Sequence, residues 1–441
     1  MTRKEVAEPL LEQTHTHAWV SAFVEREFID DGLHSVQHAS GEVSDIVVAD
    51  RGADVTIVTF NGAAAEGARR PYFQGKALLD DIERRHGPVN RVHVHDALLK
   101  AAPNLRIGWY LGTPQLDLAH ELTQLLKRIL RQLGRGPVIL FGSSAGGFAA
   151  LTQGEALPDT VVVAVNPQVS LERYEPSLYR RWLEKGRWIE PGTPLPRPSE
   201  VAARTELWSN SGPYTPRHTY LLLNVNDDLH VHSHVLPWLE SWPDPRPLTA
   251  VLGSTWGPSH TPAPRTELGL FLGQLLMDLR ENRDTTDSCG LGEVVHGPTA
   301  TGLRGAIARS RQAGTPAEVE LDLRGRGVRF ALRDLAPGRA VTINAGLRAS
   351  GTHLLRSFLV SVEAEKDGVT YTKPIRNAVW SSDPLVHHFA YLPLKEGHTR
   401  YIQRFIPPSD VAIVAVRLCQ WTKSSPARVF LTDLHLQTQD S

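Results

Sequence analysis

Cysteine is nearly absent from this chain of 441 residues, with Cys289 and Cys419 as its whole complement. Two thiols build neither a disulfide framework nor a thiolate-rich metal site. Long apolar runs are missing too. The most hydrophobic stretches, such as residues 161–165, fall far short of the ~20 residues that span a bilayer. Near the N-terminus, Arg3 and Lys4 are followed by Glu5, Glu8 and Glu12, which interrupt any apolar core of a secretory signal, so a cytoplasmic protein without a signal peptide is expected. Excess charge is lacking as well: 47 Lys and Arg oppose 48 Asp and Glu, a net charge of -1. Proteins bound mainly by neutralising phosphates carry a clear basic excess, which argues against nucleic acid as a partner.

What is present is an ordinary globular composition, 41% hydrophobic and 22% charged, in a chain long enough for two or three domains. The near-zero charge hides an asymmetry. Residues 291–441 hold 19 Lys and Arg against 13 Asp and Glu, a local +6, which leaves -7 on residues 1–290. Opposite signs point to two domains with different surfaces. Arg outnumbers Lys 38 to 9, which a G+C-rich genome explains as readily as selection for anion contacts.

From about residue 33 to 280, short β-branched runs alternate with longer helical stretches, the pattern of a parallel sheet covered by helices. Strands are expected at 45–49, 55–60, 91–95, 138–141, 161–165, 219–225 and 248–252. The clearest helix is expected over 114–133, capped by Thr113, with Pro114 in its first turn, an apolar face of Leu118, Leu122, Leu125, Leu126, Ile129 and Leu133, and Gly134 at its end. Residues 166–217 interrupt the alternation and read as a cap or lid. A polar linker is expected at 281–293. Beyond it, alternating strands at 318–323, 341–347, 358–363, 411–418 and 428–434 suggest an antiparallel sandwich. The expected domains are thus 1–285 and 286–441.

The strongest chemical signal is Val138-Ile-Leu-Phe-Gly142-Ser-Ser144-Ala-Gly146-Gly147-Phe148, a G-x-S-x-G placed after an apolar strand and before a helix. Small flanking residues allow the sharp turn that exposes a nucleophilic serine, and the helix start aims amide dipoles at an oxyanion, with the Ala145 N–H as first donor. A Gly/Ser-rich helix start without chemistry is the bland alternative. Serine needs a base within hydrogen-bond reach and an acid to orient that base. After the strand at 219–225 come Asp227 and Asp228, and after 248–252 a loop carries His260 ahead of the last helix.

This order of strand, G-x-S-x-G, acid and histidine resembles the α/β-hydrolase superfamily over residues 33–280. The resemblance implies Ser144 as nucleophile, His260 as general base and Asp227 as the acid that fixes its tautomer, with Asp228 the other candidate. Asp227 is preferred because Leu229 could then anchor the turn in the core. The second oxyanion donor would come from Asn61, Gly62 or Ala63, after the strand at 55–60. That segment departs from the His-Gly of many lipases.

His230, His232 and His234 alternate, as do His93 and His95, which invites a metal reading. A helix starting at 228 would scatter the three rings, so no metal and no other cofactor is expected. In the insertion, Arg173 and Trp182 are candidate substrate contacts beside Trp109 and Tyr110, although aromatic residues of a cap equally pack on the sheet. In the C-terminal part, Tyr401-Ile-Gln-Arg-Phe405-Ile-Pro-Pro408, then residues 411–417 and 429–436, resemble the last strands of jelly-roll carbohydrate-binding modules. With the local +6, that resemblance implies a surface for an acidic polymer; a sandwich that only packs or makes an oligomer interface is the alternative. The expected function is an esterase or deacetylase acting on an acylated glycan or glycoconjugate. Acyl transfer to a sugar hydroxyl by the same triad, or a non-catalytic binding protein of a polysaccharide pathway, are the other readings.

Overall fold

The computed structural model describes residues 12–64, 68, 71–195, 205–207, 216–241, 247–257, 259–282, 292–313, 319–321, 328–332, 336–350, 355–383, 386–394, 397–420 and 428–440. Arg3, Lys4, Glu5, Glu8, Cys289, most of the expected linker and parts of the expected cap lie outside these residues. The chain divides into two compact units, Met1–Ser310 and Arg311–Ser441. Among the described residues no helix is long and apolar enough to cross a membrane.

The first unit is built on strands β1 (Thr14–His17), β2 (Gly32–Gln37), β3 (Val43–Ala49), β4 (Thr56–Phe60), β5 (Asn90–His95), β8 (Val138–Ser143), β9 (Val161–Val165), β10 (His218–Asn224), β11 (Leu248–Gly253) and β12 (Glu293–His296). The two-residue strands β6 (Gly112–Thr113) and β7 (Leu116–Asp117) form a separate hairpin. The ten strands lie in the order β1-β2-β3-β5-β4-β8-β9-β10-β11-β12. β3 runs antiparallel to both neighbours, whereas β4, β5 and β8 to β11 are parallel. A mixed sheet with its second principal strand reversed and helices between the parallel strands is the α/β-hydrolase fold.

The sheet is covered on both faces, which is why its strands read as continuous apolar runs. Side chains alternate along a strand. Leu140, Val162, Ala164, Leu221 and Leu223 therefore enter one core with the helices Leu118–Leu133 and Ala145–Ala156. Ile139, Phe141, Val161, Val163, Tyr220 and Leu222 enter the other, against Lys76–His86 and Arg265–Arg280. The helix expected from 114 begins at Leu118, and its cap is Asp117, whose carboxylate accepts from the His120 N–H at 3.1 Å. Thr113 and Pro114 instead belong to the β6–β7 hairpin.

Strands β1, β2 and β12 went unread in the sequence, as did the helix Ala300–Ala313, whose Leu303, Ala306 and Ile307 join the first unit's core. β12 pairs antiparallel with β11, so the first unit reaches Ser310 instead of ending near 285. Of the expected cap, the helix Pro176–Lys185 lays Tyr179, Trp182 and Leu183 into the same core.

The second unit holds β13 (Val319–Leu321), β14 (Val328–Ala331), β15 (Arg339–Ser350), β16 (Leu355–Lys366), β17 (Val369–Thr370), β18 (Val379–Trp380), β19 (His388–Pro393), β20 (Gly397–Phe405), β21 (Ala412–Gln420) and β22 (Arg428–Asp440). They form antiparallel sheets β13-β22-β15-β20 and β14-β21-β16-β19-β18, with β17 on β16. Val341, Ile343 and Leu347 of one sheet share a core with Phe358, Val360 and Leu418 of the other, which makes the unit a β-sandwich.

Candidate active site

Ser144 sits between β8 and the helix Ala145–Ala156 with φ 57° and ψ -117°, a left-handed conformation that costs a non-glycine residue energy. Its neighbours make the turn possible. A Cβ on Gly142 would lie 2.0 Å from the Gly146 carbonyl oxygen, and one on Gly146 would lie 2.4 Å from the Phe60 carbonyl oxygen. The Ser144 N–H donates to the Val165 carbonyl at 2.8 Å, tying the elbow to β9. Ala145 opens the helix, so its N–H is one of the four donors that no helical carbonyl takes.

His260 lies on the loop between β11 and the last helix of the sheet region. Its Nδ1 is 2.6 Å from Asp227 Oδ2. The structure separates the two candidate acids, since the Asp227 side chain is 2% exposed and that of Asp228 is 74% exposed. Leu229 does not anchor this turn, being exposed; Val231 and Val235 fill the core instead. The His260 loop is pinned by buried amides: Asn224 Nδ2 donates to the carbonyls of Gly257 and Ser259, each at 3.0 Å, and Asn166 Nδ2 to that of Thr261 at 3.2 Å.

Ser144 and His260 face one cavity of about 820 Å³. Phe60, Ile107, Phe141, Leu178 and Leu268 give it apolar walls, and Arg106, Glu175 and Arg265 bring charge to it. Ser144 Oγ accepts from Gln168 Nε2 at 3.0 Å.

The expected oxyanion segment needs correction in detail. The Gly62 N–H is taken by Gln74 Oε1 at 2.8 Å, the Asn61 N–H by the Tyr110 hydroxyl at 2.7 Å, and the Asn61 side-chain amide by the Gly62 carbonyl at 3.1 Å. Among the described residues, the Ala63 N–H is the segment's donor at the cavity without such a partner.

The expected substrate contacts fall elsewhere. Trp109, Tyr110 and Trp182 are buried, packed with Tyr174 and Phe60 behind the site, and Arg173 is exposed but does not line the cavity. Trp109 Nε1 donates to Gln168 Oε1 at 2.5 Å, and the Tyr110 hydroxyl donates to Asn61 Oδ1 at 2.7 Å. Both aromatics thus hold residues that hold the site. Gln74 and Gln168 were missed by sequence reading, because nothing local marks a glutamine as a site residue, and His230 was weighed only as one of three alternating histidines and not as a partner of Asp227.

Asp227 carries two histidines. His230 Nδ1 lies 2.9 Å from Oδ1, opposite His260 on Oδ2. Burial would raise the Asp227 carboxyl, but hydrogen bonds from His230 and His260 outweigh it and hold the group well below the usual carboxylate range. Among the described residues, Asp227, His230 and His260 also bring their ligand atoms close enough for a metal ion. Both Nδ1 atoms already address the carboxylate, however, and a serine stands across the cavity from His260. His232 is exposed, so the alternating histidines do not converge as a set.

No family model and no curated protein matches the chain. Among solved structures it resembles a chain of the Glycosylation Associate Protein (Gap123) complex from Streptococcus agalactiae, with 16% identity and TM-score 0.41, over 59% of this chain but only 48% of that one. It also resembles the capsule O-acetyltransferase of Neisseria meningitidis serogroup A, with 15% identity and TM-score 0.37, over 52% of this chain and 89% of that one. A third is XC6422 from Xanthomonas campestris, described as an a/b serine hydrolase without lid, with 16% identity and TM-score 0.34, over 59% of this chain and all of that one.

Proposed function

We propose that the chain is a serine acyl hydrolase acting on an acylated glycan or glycoconjugate. The observation that carries this reading is the placement of Ser144, on its strained elbow, across one cavity from a His260 whose Nδ1 is held by buried Asp227. With Nδ1–H donating to the carboxylate, His260 keeps its Nε2 lone pair as a base. Ser144 Oγ bonds to the acyl carbon as its proton passes to Nε2. The tetrahedral oxyanion takes hydrogen bonds from the Ala145 and Ala63 N–H groups. Collapse expels the alcohol, which takes the proton back from His260. Water then attacks the acyl-serine with His260 again as base, releasing the carboxylic acid and free Ser144.

A fluorophosphonate probe should label the wild-type protein and leave Ser144→Ala unlabelled, with p-nitrophenyl acetate turnover falling by at least roughly 10⁴-fold in the variant. A folded wild type that takes no label and turns over no ester refutes the reading. Turnover measured with and without added glycans distinguishes water from a sugar hydroxyl as acceptor: acceleration by a glycan, with its acyl ester as product, makes the chain a transferase. Binding of an acidic polymer by the β-sandwich is part of the same proposal and rests on that unit's positive charge.

A further inference from the structure

We infer that His230 is a positioning residue, which together with Gln168 forms a second, buried link between the Asp227 carboxylate and the Ser144 hydroxyl. The inference rests on the triad reading above and deepens it. Donor and acceptor chemistry orients the link. The Trp109 indole can only donate, so Gln168 must turn Oε1 toward it. Gln168 Nε2 then faces Ser144 Oγ at 3.0 Å and His230 Nε2 at 3.4 Å, and the Gln168 side chain also meets the Tyr174 hydroxyl. Accepting there makes His230 Nε2 the lone-pair nitrogen, so the His230 proton sits on Nδ1 and is donated to Asp227 Oδ1 at 2.9 Å. Trp109 therefore sets the tautomer of His230 through one amide.

Three consequences follow for the reacting groups. Both oxygens of a buried carboxylate are satisfied, Oδ1 by His230 and Oδ2 by His260. The His230 ring stacks on His260 with centroids 3.8 Å apart and planes 12° apart, so the base is held parallel to a ring that is itself buried. Gln168 occupies a lone pair of Ser144 Oγ, which leaves the hydroxyl proton as the atom to donate to His260.

His230 is 1% exposed and does not line the cavity, so it acts through its neighbours and touches no substrate. Around it stand His234 from the next turn, Tyr174 and Glu175 from the segment before the helix Pro176–Lys185, and Asp227 and His260. Burial above all holds the His230 ring below the ordinary histidine range, in keeping with a ring that accepts from Gln168 through Nε2.

The test compares wild type with His230→Phe, which keeps ring volume and stacking but loses both hydrogen bonds, and His230→Asn, which keeps a donor toward Asp227. A hydrogen bond to a charged group is worth about 1.5–3 kcal/mol, so His230→Phe should lower kcat for p-nitrophenyl acetate roughly 10–100-fold with KM nearly unchanged. With one donor fewer, the Asp227 charge favours the protonated Asp227–His260 pair. The acid limb of kcat/KM should therefore move up by about one pH unit. His230→Asn should return the limb toward wild type.

A folded His230→Phe protein with the wild-type kcat and pH profile overturns the inference. So does a His230→Asn limb displaced as far as that of His230→Phe. If His230→Phe does not fold, Gln168→Leu serves, with a fall in kcat at constant KM expected and a wild-type kcat overturning the link. Failure of the function itself is separate, because it appears as a wild type that fluorophosphonate does not label.

Discussion

At the scale of single residues, Tyr110 shows how a side chain outside the cavity governs it. Trp109 and Tyr110 have φ of 56° and 60°, a conformation that L-residues adopt at a cost. The strain is offset by the hydrogen bond from the Tyr110 N–H to Asp96 Oδ2 at 2.8 Å and by burial of both rings. The Tyr110 hydroxyl then accepts from the Asn61 N–H and donates to Asn61 Oδ1, fixing the segment that presents Ala63. Tyr110→Phe should leave two buried polar atoms of Asn61 unpaired, destabilising the protein by about 1–3 kcal/mol. It should also lower kcat about 10-fold with little change in KM; denaturant unfolding and steady-state kinetics read the two effects, and an unchanged kcat would show that the Asn61 to Ala63 segment does not hold the oxyanion. Ser144, Asp227 and His260 stand out in the sequence as candidates because each follows a recognisable strand. Sequence reading misread Trp109 and Tyr110 as cavity walls because their partners, Gln168 and Asn61, lie 59 and 49 residues away.

At the scale of elements, the crossing of β4, β8 and the helix Ala145–Ala156 decides whether the serine can be presented. The Phe60 carbonyl at the end of β4 and the Gly146 backbone meet so closely that no side chain fits between them. Gly146→Ala should therefore push the helix start off the sheet, costing about 1–3 kcal/mol or more and removing activity even in protein that remains folded. Thermal unfolding and fluorophosphonate labelling measure both effects, and an unaltered labelling rate would show that the crossing tolerates a methyl group. The π-helical segment Leu229–Val235 plays a comparable part for the acid. It turns His230 and His234 inward and leaves His232 in solvent, which explains why three alternating histidines do not act together. Continuous apolar strands and the leucine face of Leu118–Leu133 were legible because burial on both sheet faces and helical periodicity leave strong patterns. The helix Ala300–Ala313 was not, because Leu303, Ala306 and Ile307 form a narrow apolar stripe within a small-residue, arginine-bearing segment.

At the scale of the whole molecule, buried histidines set the response to acid. Burial, as the largest cause, depresses His34, His93 and His218 to about 4 and His234 to about 3. His34 is also stacked between His15 and His17, and its Nδ1 is 3.0 Å from His17 Nε2, so protonating the cluster sets like charges side by side. Bases depressed in the folded state bind protons more readily when unfolded, so their stabilisation is complete above the unfolded pKa of about 6.5 and is lost as pH falls toward 4. The Tm should fall steadily from pH 6.5 to 4, with a shallower slope in His34→Gln; calorimetry at a series of pH values checks this, and a flat profile would refute it. The sequence by itself determined the alternation that builds the sheet, the serine elbow and the division of charge between two units, because periodicity, glycine spacing and composition are local properties of the chain. Only the tertiary structure decided that Asp227 faces His260, that Ala63 is the open donor, and that Trp109, Gln168 and His230 stand behind the serine. Each of those facts is a hydrogen bond or a burial between residues far apart in the chain, fixed when strands cross and helices pack.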